Sequence, residues 1–250
     1  MQTTPKRGRV ATREALIDAG LRLFGEVTAV SVSIDDITGA AQVSKQTFYN
    51  HFTDKPDLLQ AIRASVRADC KTFIDRVNEN EPDPARRMAR GLCGYTVLAL
   101  RDRLRGRFIA RTLLDELGTD SELNTGVVHD VSLGLAEGRL SALVLDTGVA
   151  YTLGITQALV ARIVGCTDVA AAVVISQQFG TLLLRGFGVA HGEAEMIASQ
   201  AADQVVRLGA RAGSEASFNQ ARPAAYKAAR AGLPGAGSDR LGVPPRSTRV

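Results

Sequence analysis

Two helix N-caps stand only eleven residues apart in SIDDITGAAQVSKQTF (33–48), and that spacing leaves the chain little choice of fold there. Ser33 with Asp36 makes a capping box, in which the serine hydroxyl and the acid satisfy each other's orphan backbone donors. The helix it opens puts Ile34, Ile37 and Ala41 on one face. Ala41–Ser44 then turns the chain, and Ser44 caps a second helix. With Ser44 as N-cap, Val43 and Phe48 fall at N′ and N4, the pairing of a hydrophobic staple. Upstream, Leu16, Ala19, Leu23 and Phe24 form one buried stripe of a helix over 10–26. Two short capped helices joined by a tight turn and backed by a third predict a helix-turn-helix unit.

The second short helix, in VSKQTFYNHF (43–52), is unusually polar. At 100° per residue Lys45, Gln46, Tyr49 and Asn50 cover an arc of about 140°, with Phe48 on the opposite side. One face anchors to a core, as does Phe52, and the other is an unbroken polar rack. Gln pairs bidentately with adenine and Lys with guanine in the major groove, where such a helix lies.

The remaining sequence predicts more helices and no strands, an all-α chain. It is 45% hydrophobic with 5% aromatic residues and no Trp, so its core is aliphatic, and β-branched alternation is missing. A fourth helix starts at TDKPDLL, with Asp54 as N-cap, and runs to about Asn80 before NENEPDP ends it. Further windows follow at 84–102, 104–117, 121–137, 146–164, 168–189 and 193–212. The helices at 146–164 and 168–189 are strongly apolar, but Asp146, Gln157 and Arg162 interrupt the first and Ser176, Gln177, Gln178 and Arg185 the second. Neither offers the roughly 20 clean residues of a membrane span. From Gly213 the sequence is rich in Ala, Gly, Pro and Arg and reads as a disordered basic tail, 213–250.

The net charge of +4 says less about partners than its distribution does. From Arg207 onward eight basic residues face two acids, whereas residues 1–60 balance seven against seven. A nucleic-acid argument therefore rests on the placement of side chains rather than on pI. Cys70, Cys93 and Cys166 lie far apart with no CxxC pair, which argues against disulfides and zinc and suits a cytoplasmic protein. The opening MQTTPKRGRV has no apolar run behind its bases and is not read as a secretory signal. His51 has no metal-ligating partner at i+4, and no nucleophile–base set, HExxH or P-loop occurs, so neither a metal, a cofactor nor an enzyme is expected.

Residues 10–59 resemble the DNA-binding domain of the tetracycline-repressor (TetR) family of bacterial regulators. The resemblance is carried by ALIDAGLRLFGE (15–26), VSIDDITGAAQVSKQTFYNHFTDKPDLL (32–59) and above all VSKQTFYNHF followed by Asp54-Lys55; LLLRGFGVAHGEAEMIA (182–198) is similar to the close of that family's regulatory domain. It implies a homodimer with a helix-turn-helix domain and a basic arm (Lys6, Arg7, Arg9) over 1–53 and an α-helical ligand-binding and dimerisation domain over 54–212. Helices 146–164 and 168–189 would pair across the dimer. A small-molecule effector would shift the helix 54–80 and release a repressor from double-stranded operator DNA, an inverted repeat; an activator or a ligand-independent architectural protein is the alternative. By position, Lys45, Gln46, Tyr49 and Asn50 would read base edges, while Ser33, Ser44, Thr47, His51 and Lys55 would hold phosphates. The family commonly has Gly in the turn where this chain has Gln42. For the effector pocket, the polar and aromatic residues set in apolar helices are the candidates: Tyr95, Phe108, Thr112, Tyr151 and Gln157.

Overall fold

The computed structural model describes residues 4–26, 31–141 and 144–211, and within them the chain is helical without strands. The helices are α1 (Thr4–Glu26), α2 (Ile34–Ala41), α3 (Lys45–Tyr49), α4 (Lys55–Val77), α5 (Pro84–Arg101), α6 (Arg103–Thr112), α7 (Thr125–Ala136), α8 (Leu145–Ile163), α9 (Val169–Gly186) and α10 (His191–Ala201). A π-helical segment, Ala202–Arg207, joins α10 to α11 (Leu208–Arg211), and 3₁₀ turns at Leu113–Asp115 and Glu122–Asn124 separate α6 from α7. Each expected window holds a helix, and the ends fall where local chemistry puts them. Ser33, Ser44, Asp54, Asp83, Asp102 and Asp168 all cap with their side chains.

The boundary that differs most from the sequence reading is the first. The first helix begins at Thr4, not Val10, so the backbone of the expected basic arm is the opening turns of α1. Nothing in that stretch breaks a helix: Pro5 sits in the first turn, where its missing N–H is not needed. The basic tail 213–250 lies outside the described residues.

In the head, α1, α2, α3 and the start of α4 close over Leu16, Phe24, Ile37, Phe48, Phe52, Leu58 and Ile62, all at most 3% exposed. α1 and α4 cross closely at Gly20, where an added Cβ would lie 2.7 Å from Ile62 Cδ1. Behind the head α5 is the hub, packed by α4, α6, α7, α8, α9 and α10. Its buried face runs through Ala85, Met88, Leu92, Thr96 and Val97. The hydroxyls of Thr96 and Ser176 meet there at 2.8 Å, so neither is left unpaired in the core. Arginines of α6 tie the head to the bundle and the bundle to α4. Arg111 of α6 donates to the carbonyls of Phe24 (3.0 Å) and Glu26 (3.3 Å) at the end of α1. Buried Arg105 pairs with Asp69 of α4 and with Asp102, which is 3.3 Å away.

By length and composition α9 could cross a membrane, since its 18 residues average a hydropathy of 1.3, which is more apolar than its polar interruptions suggest. It packs instead against α5, α8 and α10. A third of it is buried there, leaving Val174 and Leu182 exposed on its outer side.

Candidate nucleic-acid interface and interior cavity

The polar face of α3 is built by what lies under it. Phe48 is fully buried, stacks edge-on against Tyr49 at 5.4 Å and lies 5.8 Å from Phe52. A five-residue helix cannot persist on its own hydrogen bonds, so this anchor and the Ser44 cap hold α3 in place. Ser44 Oγ accepts from Thr47 N at 3.1 Å and shares a proton with Thr47 Oγ1 at 2.9 Å. Gln42 makes the turn before it in the left-handed region, φ 55° and ψ 42°.

Above this base Lys45, Gln46, Tyr49 and Asn50 are all exposed, Tyr49 at 54%. Gln46 Nε2 donates to Asn50 Oδ1 at 3.3 Å, which orients both amides along one side of the helix. Lys45 reaches back to Asp35 of α2 at 2.8 Å, and that hydrogen bond raises its pKa. Its charge is thus held in place beside the amides, in a contact weak enough in water to be exchanged for an acceptor on a nucleic acid.

The five expected phosphate contacts are not alike. Ser33 is fully engaged in its capping box: its hydroxyl donates to Asp36 Oδ2 at 2.6 Å and accepts from Asp36 N at 3.1 Å. That role leaves it no free proton for a phosphate. Lys55 is half-buried, and its ammonium donates to Val32 O at 2.8 Å, beside the start of α2. His51 is half-buried against the Phe52 ring, 6.5 Å between centroids. Burial, then the charges of Arg9 and Arg13, lower its pKa, so it is neutral near pH 7. Arg13, which the sequence reading did not single out, lies over the Phe52 ring at 5.1 Å. Ser44 and Thr47 remain at the N-terminus of α3.

A cavity of about 320 Å³ lies between α4, α5, α7 and α8. Of the five pocket candidates Tyr95 alone lines it. Phe108 and Thr112 border a much smaller recess between α4 and α6. Tyr151 turns outward, donating to Leu182 O at 2.8 Å, and Gln157 donates to Ala110 O at 2.8 Å. These two polar side chains serve helix packing: α8 to α9, and α8 to α6. The sequence reading missed the cavity's charged wall of Arg67, Lys71, Asp75, Arg87 and Asp130, and Asn78 at its edge. A signal existed: Arg87, Gly91 and Tyr95 recur every four residues beside the apolar stripe of Met88 and Leu92 on α5. Among the described residues no cluster of His, Cys, Asp and Glu is placed to hold a metal ion.

Comparison with known proteins follows the same division. Residues 16–62 match the family described as bacterial regulatory proteins, tetR family. The HTH-type transcriptional regulator YwcC of Bacillus subtilis (strain 168) is 37% identical over 73 residues, 29% of this chain and 33% of that protein. The HTH-type transcriptional regulator AcrR of Shigella flexneri is 37% identical over 62 residues, 25% of this chain and 29% of that protein. The matched stretch thus spans about a third of the length of these relatives. In three dimensions the likeness is longer. RolR, crystallised in complex with resorcinol, superposes with a TM-score of 0.59 at 29% identity over 78% of this chain and 96% of that one.

Proposed function

We propose that this chain, whose residues 16–62 match the tetR family of bacterial regulatory proteins, is a member of that family and a cytoplasmic homodimer that represses transcription and is released from its operator by a small molecule. The observation that carries this reading is the contrast within α3: Phe48 is wholly buried while Lys45, Gln46, Tyr49 and Asn50 stand exposed on a helix held at both ends. A helix so presented enters a major groove with its polar side on base edges. Ser44 and Thr47 at the N-terminus of α3 hold the phosphate backbone, with Lys55 beside them. The head extends over residues 1–53, and the bundle over 54–212 carries effector binding and dimerisation.

The dimer forms through α8 and α9. Val174 at 52% and Leu182 at 56% exposure leave an apolar strip on the outer side of α9. A second copy of the same face covers that strip under two-fold symmetry and sets two heads for an inverted repeat. RolR was crystallised with the small molecule resorcinol, which supports a small effector for this chain, and the cavity beside α4 is the place for it.

The test is selection of bound duplexes from a random DNA pool by the purified protein. An enriched inverted repeat supports a two-fold reader. Salt-sensitive binding with no enrichment rejects sequence-specific repression.

A further inference from the structure

Resting on the reading of α3 as the helix that enters the major groove, we propose that Asp35 is a positioning residue for Lys45. It steers that lysine onto the uncharged edge of guanine and screens it from phosphates, and so sets how well the head tells its operator from other DNA. Lys45 Nζ lies 2.8 Å from Asp35 Oδ1, and both side chains stand exposed. The two residues occupy the first turns of α3 and α2, so the tight turn between the helices brings them together. The neighbouring acids have other work. Asp36 closes the capping box with Ser33, Asp54 accepts from Asp57 N at 2.8 Å, and Asp57 accepts from Thr53 N at 2.9 Å and Thr53 Oγ1 at 3.2 Å. The Asp35 carboxylate takes no part in these caps and stands beside the polar face of α3 instead. A cation in the first turn of a helix meets the positive end of its dipole, so the pair also steadies Lys45 locally.

The consequence for DNA comes from counting protons and charges. A lysine ammonium has three protons and accepts none. One goes to Asp35 Oδ1, and two remain for O6 and N7 of a guanine, which are uncharged acceptors side by side in the major groove. Lys45 therefore reads guanine without giving up Asp35. A phosphate makes a different demand. It sets a second anion against the Asp35 carboxylate, and a pair of zero net charge neutralises no phosphate and releases no counterion. The other side chains of that face are two amides and a phenol, Gln46, Asn50 and Tyr49. With Asp35 in place the exposed face of α3 thus carries no net charge, so it adds little to the sequence-independent attraction that holds a regulator on the many competing sites. In a helix-turn-helix unit the first helix crosses the DNA backbone, which puts the start of α2, and Asp35 with it, where the screen is needed.

Fluorescence anisotropy on the full-length protein tests this with a random-sequence duplex over a range of salt, for the unmutated chain, Asp35→Asn, Lys45→Ala and the double variant. Asp35→Asn should bind the random duplex more tightly and steepen its salt slope by about 0.9, one added phosphate contact; its advantage should then shrink about 3.5-fold between about 50 and 200 mM salt. Its preference for the selected operator over the random duplex should fall. Lys45→Ala should weaken the operator and leave the slope on the random duplex unchanged, and adding Asp35→Asn to it should bring no steepening. An unmoved slope in Asp35→Asn overturns the proposal. So does equal steepening in the Lys45→Ala background, which would make Asp35 a simple repeller of polyanions, and so does a selected operator with no required G·C pair in its half-sites. The Lys45→Ala comparison stands even if Asp35→Asn does not fold. An enriched inverted repeat alongside an unmoved slope rejects the role of Asp35 and keeps the regulator. No enriched sequence alongside a steepening that depends on Lys45 rejects the regulator and keeps the screen.

Discussion

Gln42→Gly should stabilise the head, and the size of the effect follows from three features of the turn. Gln42 sits at φ 55° and ψ 42°, where a side chain crowds the following carbonyl at a cost of about 1–2 kcal/mol. Its amide donates to Gly39 O at 3.2 Å, and the next amide, of Val43, donates to Thr38 O at 3.0 Å; glycine keeps both bonds. The Gln42 side chain is exposed, so its removal opens no cavity. Against the relief stands the greater freedom glycine gives the unfolded chain, about 0.5–1 kcal/mol. The net expectation is a gain of about 0.5–1 kcal/mol, or a rise in melting temperature of about 1–4 °C at this chain length. Calorimetric melting, with hydrogen exchange at the Val43 amide as a local probe, measures it. An unchanged or lower melting temperature would show that the left-handed turn stores no strain and refute the reasoning.

The capping box gives a pH signature. The Ser33 hydroxyl, then its backbone N–H, hold Asp36 below the ordinary carboxylate value of 3.8. The stability it contributes is therefore complete above that value and is lost as pH falls through the lowered one; acid melts of Asp36→Ala should lack this component. Arg105→Ala removes the guanidinium that pairs with Asp69 and Asp102, and because both acids are partly exposed the loss should be about 2–3 kcal/mol in urea unfolding. Gln46→Ala should cost about 1–3 kcal/mol at particular base pairs of the selected operator and relax preference there. Equal loss on every sequence would contradict a base-reading role.

What could be read in the sequence was what is decided within one or two turns of chain. The caps at Ser33, Ser44 and Asp54 and the buried Phe48 beneath exposed neighbours all follow from residues within about five positions of one another, while the turn at Gln42 is marked by the family resemblance. The cavity did not yield in this way, because its walls come from four helices whose rotations are fixed only when the bundle packs. Tyr151 and Gln157 looked like ligand groups for being polar in apolar helices, yet each satisfies a carbonyl of a neighbouring helix. Arg87 and Asp130, 43 residues apart in the sequence, come face to face only when the bundle packs. Lys55 likewise found Val32 O across the fold, 23 residues away.

The double role of α4 has a mechanical consequence. Leu58 and Ile62 are clamped in the head beneath Gly20, while Arg67, Lys71 and Ile74, further along the same rod, form a wall of the cavity. Its 23 residues make a shaft of about 34 Å at 1.5 Å per residue. A pivot of about 5° sweeps the far end of such a shaft through about 3 Å, close to the rise of about 3.4 Å between base pairs. Under the proposed function, sub-ångström adjustments at the cavity wall would be geared up, by leverage alone, to the spacing of the DNA ladder.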